Sequence, residues 1–229
     1  MPKHPRFRGR MLAAALPALL LTTPSSSLAE EVLSGQALPL SGNPRLVAPN
    51  GPAKPLDKNR ALRPGERIET GPEDRAVIWF SAEPGCRFIL ETNSHLEILR
   101  SESPRVYTAD LRRGAMRCEE ASCGVTVDVR TPVARLLGNA AQFWVEATDG
   151  ATTVYLKSGD LRLLVRGQVI PLRAMTQTII SRSGSHRISS IVEEEFRNAI
   201  ASPSSPPADP SRKGFSDGRV SPASAAGRP

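Results

Sequence analysis

Residues 141–157 constrain the fold of this chain more than any other stretch. Apolar and polar residues alternate on both sides of Asp149-Gly150. Asp-Gly is a strong signal for a two-residue hairpin turn, because type I′ geometry needs positive φ at both central positions. A turn there pairs Val145 with Val154, Phe143 with Leu156, Trp144 with Tyr155, Glu146 with Thr153 and Gln142 with Lys157. The aliphatic pairs share one side, and polar side chains surround an aromatic pair on the other. A one-residue slip would mix the two faces, so the register is strongly specified. Ser158-Gly159 then reads as a second turn. It sets Lys157 against Asp160, Leu156 against Leu161, Val154 against Leu163 and Tyr155 against Arg162. Opposite charges and aliphatics meet in that solution, whereas moving the turn by one residue would oppose Lys157 and Arg162. The expected product is a three-strand row, Trp144–Tyr155–Arg162, on the polar face. It reads either as sheet stabilisation by an aromatic pair with a cation over a ring, or as a recognition patch for a glycan, peptide or partner strand.

The same short alternating runs recur from about residue 63 to 182. They cover 67–70, 75–81, 87–91, 94–99, 105–111, 124–130, 141–147, 151–157, 160–165, 168–172 and 176–182. Strands at this spacing, separated by Gly- and Pro-containing turns, indicate an all-β architecture: an antiparallel β-sandwich, jelly-roll-like, or a β-solenoid-like stack. Residues 30–60 are rich in Pro, Gly and Asn and read as an extended leading segment with one short strand. Ser190-Ile-Val-Glu193 fits a capping box, which predicts a helix over 189–201. From Ser202 the chain is rich in Pro, Ser, Ala and Gly with few large apolar groups, so 202–229 is expected to be disordered.

The first 29 residues explain much of the net charge of +7 over 229 residues. Lys3, Arg6, Arg8 and Arg10 precede the apolar run 11–21, and Ser27-Leu28-Ala29 supplies small residues at the −3 and −1 positions of a cut. This order reads as a cleaved secretory signal peptide. The run is shorter than the roughly 20 residues a spanning helix needs. With those four of its 30 basic residues set aside, the remainder exceeds the 23 acidic residues by three, which argues against nucleic acid as a partner. The expectation is an exported protein, periplasmic or extracellular, that is not integral to the membrane after signal removal. In that oxidising setting Cys118 and Cys123 form a candidate disulfide and Cys86 a buried thiol. Two histidines outside the signal, His95 and His186, are too few for a paired-ligand zinc site, so neither metal nor cofactor is expected.

No nucleophile elbow, zinc-protease helix, phosphate loop or dinucleotide glycine pattern occurs, so no catalytic residue is assigned. His95 alternates with Glu97 on the polar side of Leu96 and Ile98, which makes it a surface histidine rather than a base for Cys86.

The meander resembles the FecR-type extracytoplasmic domain. Thr131-Pro132-Val133-Ala134 resembles that family's opening motif, and Phe143-Trp144-Val145 its Phe-x-Val strand. The segment from Thr152 to Gly159 resembles its following hairpin strand. Upstream, 62–70, 75–80, 94–98 and Leu111-Arg112-Arg113-Gly114 resemble its earlier strands and a strand-then-Gly corner. The resemblance spans roughly 60–185, with the β domain bounded at 61–185. One departure stands out. The family's Gly-Thr pair falls on Ala140-Ala141, just after Gly138-Asn139. The best-known members of the family are membrane-spanning regulators whose exported domain senses a signal and whose cytoplasmic segment restrains a sigma factor. What the resemblance implies for this chain is a stand-alone exported sensing or interaction module, without that segment and not an enzyme, which binds an envelope protein or glycan. A structural cell-envelope protein is the alternative, and a carbohydrate-active enzyme a further one.

Overall fold

The computed structural model describes residues 35–80, 87–101, 103, 105–119 and 126–201. The expected signal peptide, the expected disordered tail, Cys86 and Cys123 lie outside the described residues, and the candidate disulfide with them. Among the described residues, fifteen strands hydrogen-bond into one network, followed by one helix. The all-β class with a C-terminal helix is therefore what the chain adopts. The strands are β1 (Gly35–Ser41), β2 (Arg45–Val47), β3 (Ala53–Pro55), β4 (Arg60–Leu62) and β5 (Arg67–Glu69). Then come β6 (Arg75–Trp79), β7 (Arg87–Leu90), β8 (His95–Ile98), β9 (Val106–Cys118) and β10 (Thr126–Arg130). The last are β11 (Arg135–Ala147), β12 (Ala151–Val165), β13 (Gln168–Pro171), β14 (Thr176–Ser181) and β15 (His186–Ser190), before helix α1 (Glu193–Ala201).

Three long strands organise the network, because each changes neighbours halfway. β9 pairs with β8 and β10 through residues 106–113, then with β7 and β11 through 114–118. β11 pairs with β10 through 135–139 and with β9 through 143–147. β12 pairs with β14 through 151–156 and with β13 through 162–165. The result is a first half, β3-β2-β5-β8-β9-β10-β11-β12-β13, and a second, β4-β1-β6-β7-β9-β11-β12-β14-β15. Strands that switch layers this way need bends or bulges at the crossing. β9 bends at Gly114, with φ +85, and β12 at Gly159, with φ +95. The β11–β12 register shifts between Asn139, Gln142 and Phe143.

Alternation decides what faces inward. Val127 and Val129 in β10, Phe143 and Val145 in β11, and Val154, Leu156, Leu161 and Leu163 in β12 all enter one core with Ile68, Leu96 and Phe88. Thr131-Pro132-Val133-Ala134 closes the β10–β11 hairpin. The Thr131 hydroxyl accepts from the Ala134 amide at 3.0 Å and meets the Thr152 hydroxyl at 2.7 Å.

The hairpin register at Asp149-Gly150 holds for four pairs, Phe143–Leu156 through Glu146–Thr153. Five expectations are corrected. Gln142 faces Ser158, not Lys157, because the bulge falls between Gln142 and Phe143. Ser158-Gly159 is no turn. β12 runs straight through it, and the positive-φ glycine serves a bend within the strand. The jelly-roll-like sandwich is replaced by one continuous network in which β10 runs parallel to β9. The leading segment carries three strands, and β1 pairs along β6 at the network's edge. Helix α1 begins at Glu193. Its capping interaction is the Val192 amide donating to Glu195 Oε2 at 3.0 Å, while Ser190 is held in β15 opposite Thr176.

The β9 bend is stapled from outside. Ser94 Oγ accepts from the Ala115 amide at 2.8 Å and donates to the Ala115 carbonyl at 3.1 Å. Thr70 Oγ1 accepts from the Ser94 amide at 2.8 Å and donates to the Glu91 carbonyl at 2.6 Å. A Cβ on residue 114 would collide with Ser94 Oγ, Cα and Cβ. Gly114→Ala should therefore cost on the order of 3 kcal/mol, from positive φ and a collision with backbone together. Gly167→Ala has φ +82 but open space around its Cβ, and should cost only about 1 kcal/mol. Urea denaturation of the two variants checks the difference, and equal losses would mean that the bend is not sterically locked.

Candidate functional site

The pairings draw one row across the outer face of the second half: Leu38, Val77, Ile89, Arg117, Trp144, Tyr155, Gln177 and Ser189. Trp144 and Tyr155 are adjacent in it, as their hairpin requires. Arg162 is absent from the row. It lies on the outer face of the first half between Leu137 and Pro171, with its side chain 61% exposed and Asp160 at 3.4 Å. A cation does neighbour the tryptophan, but it is Arg117 from β9. Trp144 is only 1% exposed, so the aromatic pair is not an open patch. The Tyr155 hydroxyl accepts from Gln177 Nε2 at 2.7 Å. Burial pushes its pKa up, and the charges of Glu146 and Glu195 push it further.

Helix α1 lies against this face. Lys157 Nζ meets Glu193 Oε1 at 2.9 Å and stands 5.7 Å from the centre of the buried Phe196 ring. A cavity of about 320 Å³ remains between Gln142, Lys157, Phe196 and Arg197. Three acidic residues in the first turn of α1 complement its N-terminal dipole. Cys118 is buried in β9, with Phe88 and Phe143 as its ladder neighbours.

Beside Trp144 the row hides a charge cluster. Glu91 is fully buried between Arg117 at 2.7 Å and Arg75 at 3.0 Å. Neither approach has hydrogen-bond geometry, so these are charge pairs rather than directed bonds. Arg117 also reaches Glu119 at 3.1 Å, and Glu119 pairs with Arg87. Burial raises the Glu91 pKa above its ordinary 4.5, outweighing the opposing pull of Arg117 and Arg75.

A second region, at the β9 bend, is open to solvent. A cleft of about 630 Å³ is lined by Asn43, Arg45, Glu69, Asp74, Asn93 and Arg113. A neighbouring cleft of about 370 Å³ shares Asn93 and Arg113 and extends to Glu146 and Asp149. The carboxylates of the larger cleft are committed. Asp74 accepts from the Asn43 amide at 2.7 Å and the Gly71 amide at 2.8 Å. Glu69 pairs with Arg45 at 3.2 Å and Arg67 at 3.7 Å. Asn93 sits at φ +54 with its amide on the Gly71 carbonyl, which presents its side chain at the junction of the two clefts. Arg113 forms no ion pair among the described residues. His95, the ladder neighbour of both Glu69 and Arg113, has its pKa lowered chiefly by burial. The sequence placed Arg113 and Gly114 in a strand-then-Gly corner, but nothing in it brings Asn43, Asp74 and Asn93 to that corner.

No family profile and no curated protein matches the chain. Two crystal structures of a candidate anti-sigma factor from Parabacteroides distasonis, at 1.65 and 2.50 Å resolution, are similar to it. The identities are 15% and 14%, the TM-score is 0.48 for both, and the matches cover 58% of this chain. They span 64% and 63% of those proteins, less than two thirds of their length. Among the described residues no helix is long and apolar enough to cross a membrane.

Two outcomes follow from the buried row. Trp144→Ala should destabilise the fold by roughly 3–5 kcal/mol, as expected for a buried aromatic, and an exposed-site loss below about 1 kcal/mol in urea would contradict its burial. For Glu91, the folded carboxyl holds its proton more tightly than the unfolded one. Its contribution to stability is present below 4.5 and is lost as pH rises through the raised folded value. The stability of Glu91→Gln relative to the native chain should therefore rise between about pH 4 and pH 7. Urea midpoints across that range check the sign, and a relative fall would mean that the two arginines outweigh desolvation.

Proposed function

We propose that this chain is an exported FecR-like sensing or interaction module that binds an envelope protein or glycan and catalyses no reaction on it. The observation that carries the reading is the state of the groups in the bend cleft. Its carboxylates, Asp74 and Glu69, are tied to backbone amides and arginines. What remains for a ligand is the Asn43 and Asn93 side chains and the Arg113 guanidinium. Amide and guanidinium groups recognise hydroxyls, carbonyls and carboxylates, whereas glycoside hydrolysis needs a carboxyl acid and a second carboxylate both free to act. The β9 bend, fixed by Ser94 and Thr70, holds these groups in place before a ligand arrives, which lowers the ordering cost of binding. The FecR-type assignment belongs to the same proposal and rests on the motif order from Leu62 to Gly159. Under it, residues 1–29 direct export and the module works in the periplasm or outside the cell.

Co-sedimentation with purified cell-wall sacculi and with outer-membrane vesicles tests this reading. The native chain should bind one of the two, and Arg113→Ala should weaken that binding about tenfold, the usual effect of losing a charged hydrogen bond. The urea midpoint should stay within about 0.5 kcal/mol of native stability, because the side chain is on the surface. Binding that persists undiminished in Arg113→Ala would favour a structural envelope protein held by other surfaces. Release of reducing sugar from the sacculi would favour the carbohydrate-active reading and overturn the proposal.

A further inference from the structure

The outer face of the first half holds a separate cavity of about 280 Å³, between Arg100, Thr108, Asp128, Arg130 and Arg135. It is independent of the bend cleft and of the reading drawn from it. Three guanidinium groups line it against one carboxylate. That carboxylate, buried Asp128, is fully engaged by Arg135 in a two-pronged contact, Nε donating to Oδ1 at 2.7 Å and Nη2 to Oδ2 at 2.8 Å. Arg135 and Asp128 thus neutralise each other and form a fixed wall. Arg100 and Arg130 form no ion pair among the described residues. Asp110, the ladder neighbour of Arg130, feels the charge of Arg130 but makes its ion pair with Arg112, at 3.4 Å.

The strand pairing makes this excess charge deliberate in geometry. Arg130 and Arg135 are direct partners across β10 and β11. Like charges directly opposed in a ladder destabilise a sheet; Asp128 offsets the charge of Arg135, and the Arg130 guanidinium is left facing the cavity. The rim is preshaped as well. Ser101 Oγ donates to the Ser103 carbonyl at 2.7 Å and accepts from the Ser103 amide at 3.2 Å. Ser103 Oγ in turn accepts from the Arg105 amide at 3.4 Å and keeps its own hydrogen for another acceptor.

We propose that this cavity is an anion site for a phosphoryl group, bound by Arg100 and Arg130 with Arg135 and Asp128 as its rigid wall. Two guanidiniums without an ion pair match a doubly charged tetrahedral anion better than a monocarboxylate, and planar guanidiniums grip phosphate oxygens in pairs. The volume suits a phosphate or a phosphate-bearing headgroup rather than a long oligosaccharide. Free phosphate and a phosphomonoester on a lipid share this chemistry, so both are tested on the full chain.

Inorganic phosphate is titrated calorimetrically, and phosphatidylcholine vesicles with and without phosphatidic acid are co-sedimented with the protein. At least one probe should bind, and Arg100→Gln or Arg130→Gln should weaken it about tenfold without shifting the urea midpoint. Arg162→Gln removes an exposed charge from the same face but outside the cavity, and should bind as the native chain does. Phosphate binding without vesicle binding assigns a soluble anion, and the reverse assigns a lipid headgroup; either result sustains the site. The proposal is overturned if neither probe binds, if both arginine variants bind as well as the native chain, or if acetate displaces phosphate at equal concentration.

Discussion

Everything in this molecule depends on three long strands bending without breaking. β9, β11 and β12 each carry their hydrogen bonds from one half of the network into the other, so the two halves share backbone rather than only side-chain contacts. A bend of this kind exposes amides and carbonyls that leave one partner before meeting the next. At the β9 bend the Ala115 amide and carbonyl are taken up by the buried Ser94 hydroxyl, and the buried Thr70 hydroxyl holds the turn that carries Ser94. Ser94 and Thr70 are tolerated inside an apolar fold because both of their hydroxyls are satisfied.

The sequence made the local part of this legible and hid the rest, for one physical reason. The β11–β12 hairpin could be paired residue by residue because its turn is two residues long and its faces differ in polarity. Arg117 could not be set beside Trp144 in advance, since β9 and β11 meet only after β10 has been placed between their first halves. A glycine with positive φ marks a hairpin turn and a bend within a strand alike, which is why Ser158-Gly159 looked like the end of a strand. The misplaced helix start has a similar origin. Ser190 and Val192 each precede a glutamate by three residues, and pairing with Thr176 keeps Ser190 in a strand.

Ala140-Ala141 falls on the β11 crossing. Two residues earlier Gly138 serves a close approach, because a Cβ there would collide with the Asp160 carbonyl. β11 and β12 thus meet closely just before the register shift from Asn139 to Gln142. Ala141 is buried in the core, a position that a threonine hydroxyl would occupy only with a partner.

The clefts follow from the same strand switching. Where β9 exchanges β8 for β7, the two departing strands splay, and the bend cleft opens between their loops at Asn93 and Arg113. β10 exists only in the first half, wedged between β9, to which it runs parallel, and β11, to which it runs antiparallel; those two pair directly in the second half. Arg130, the last residue of β10, lies between Asp110 of β9 and Arg135, the first residue of β11, so the register of the β10–β11 hairpin brings two cations together. The need to bend three strands around a shared core is therefore what creates the polar recesses on an otherwise close-packed fold, and the chemistry available to a ligand is set by which residues fall at those bends.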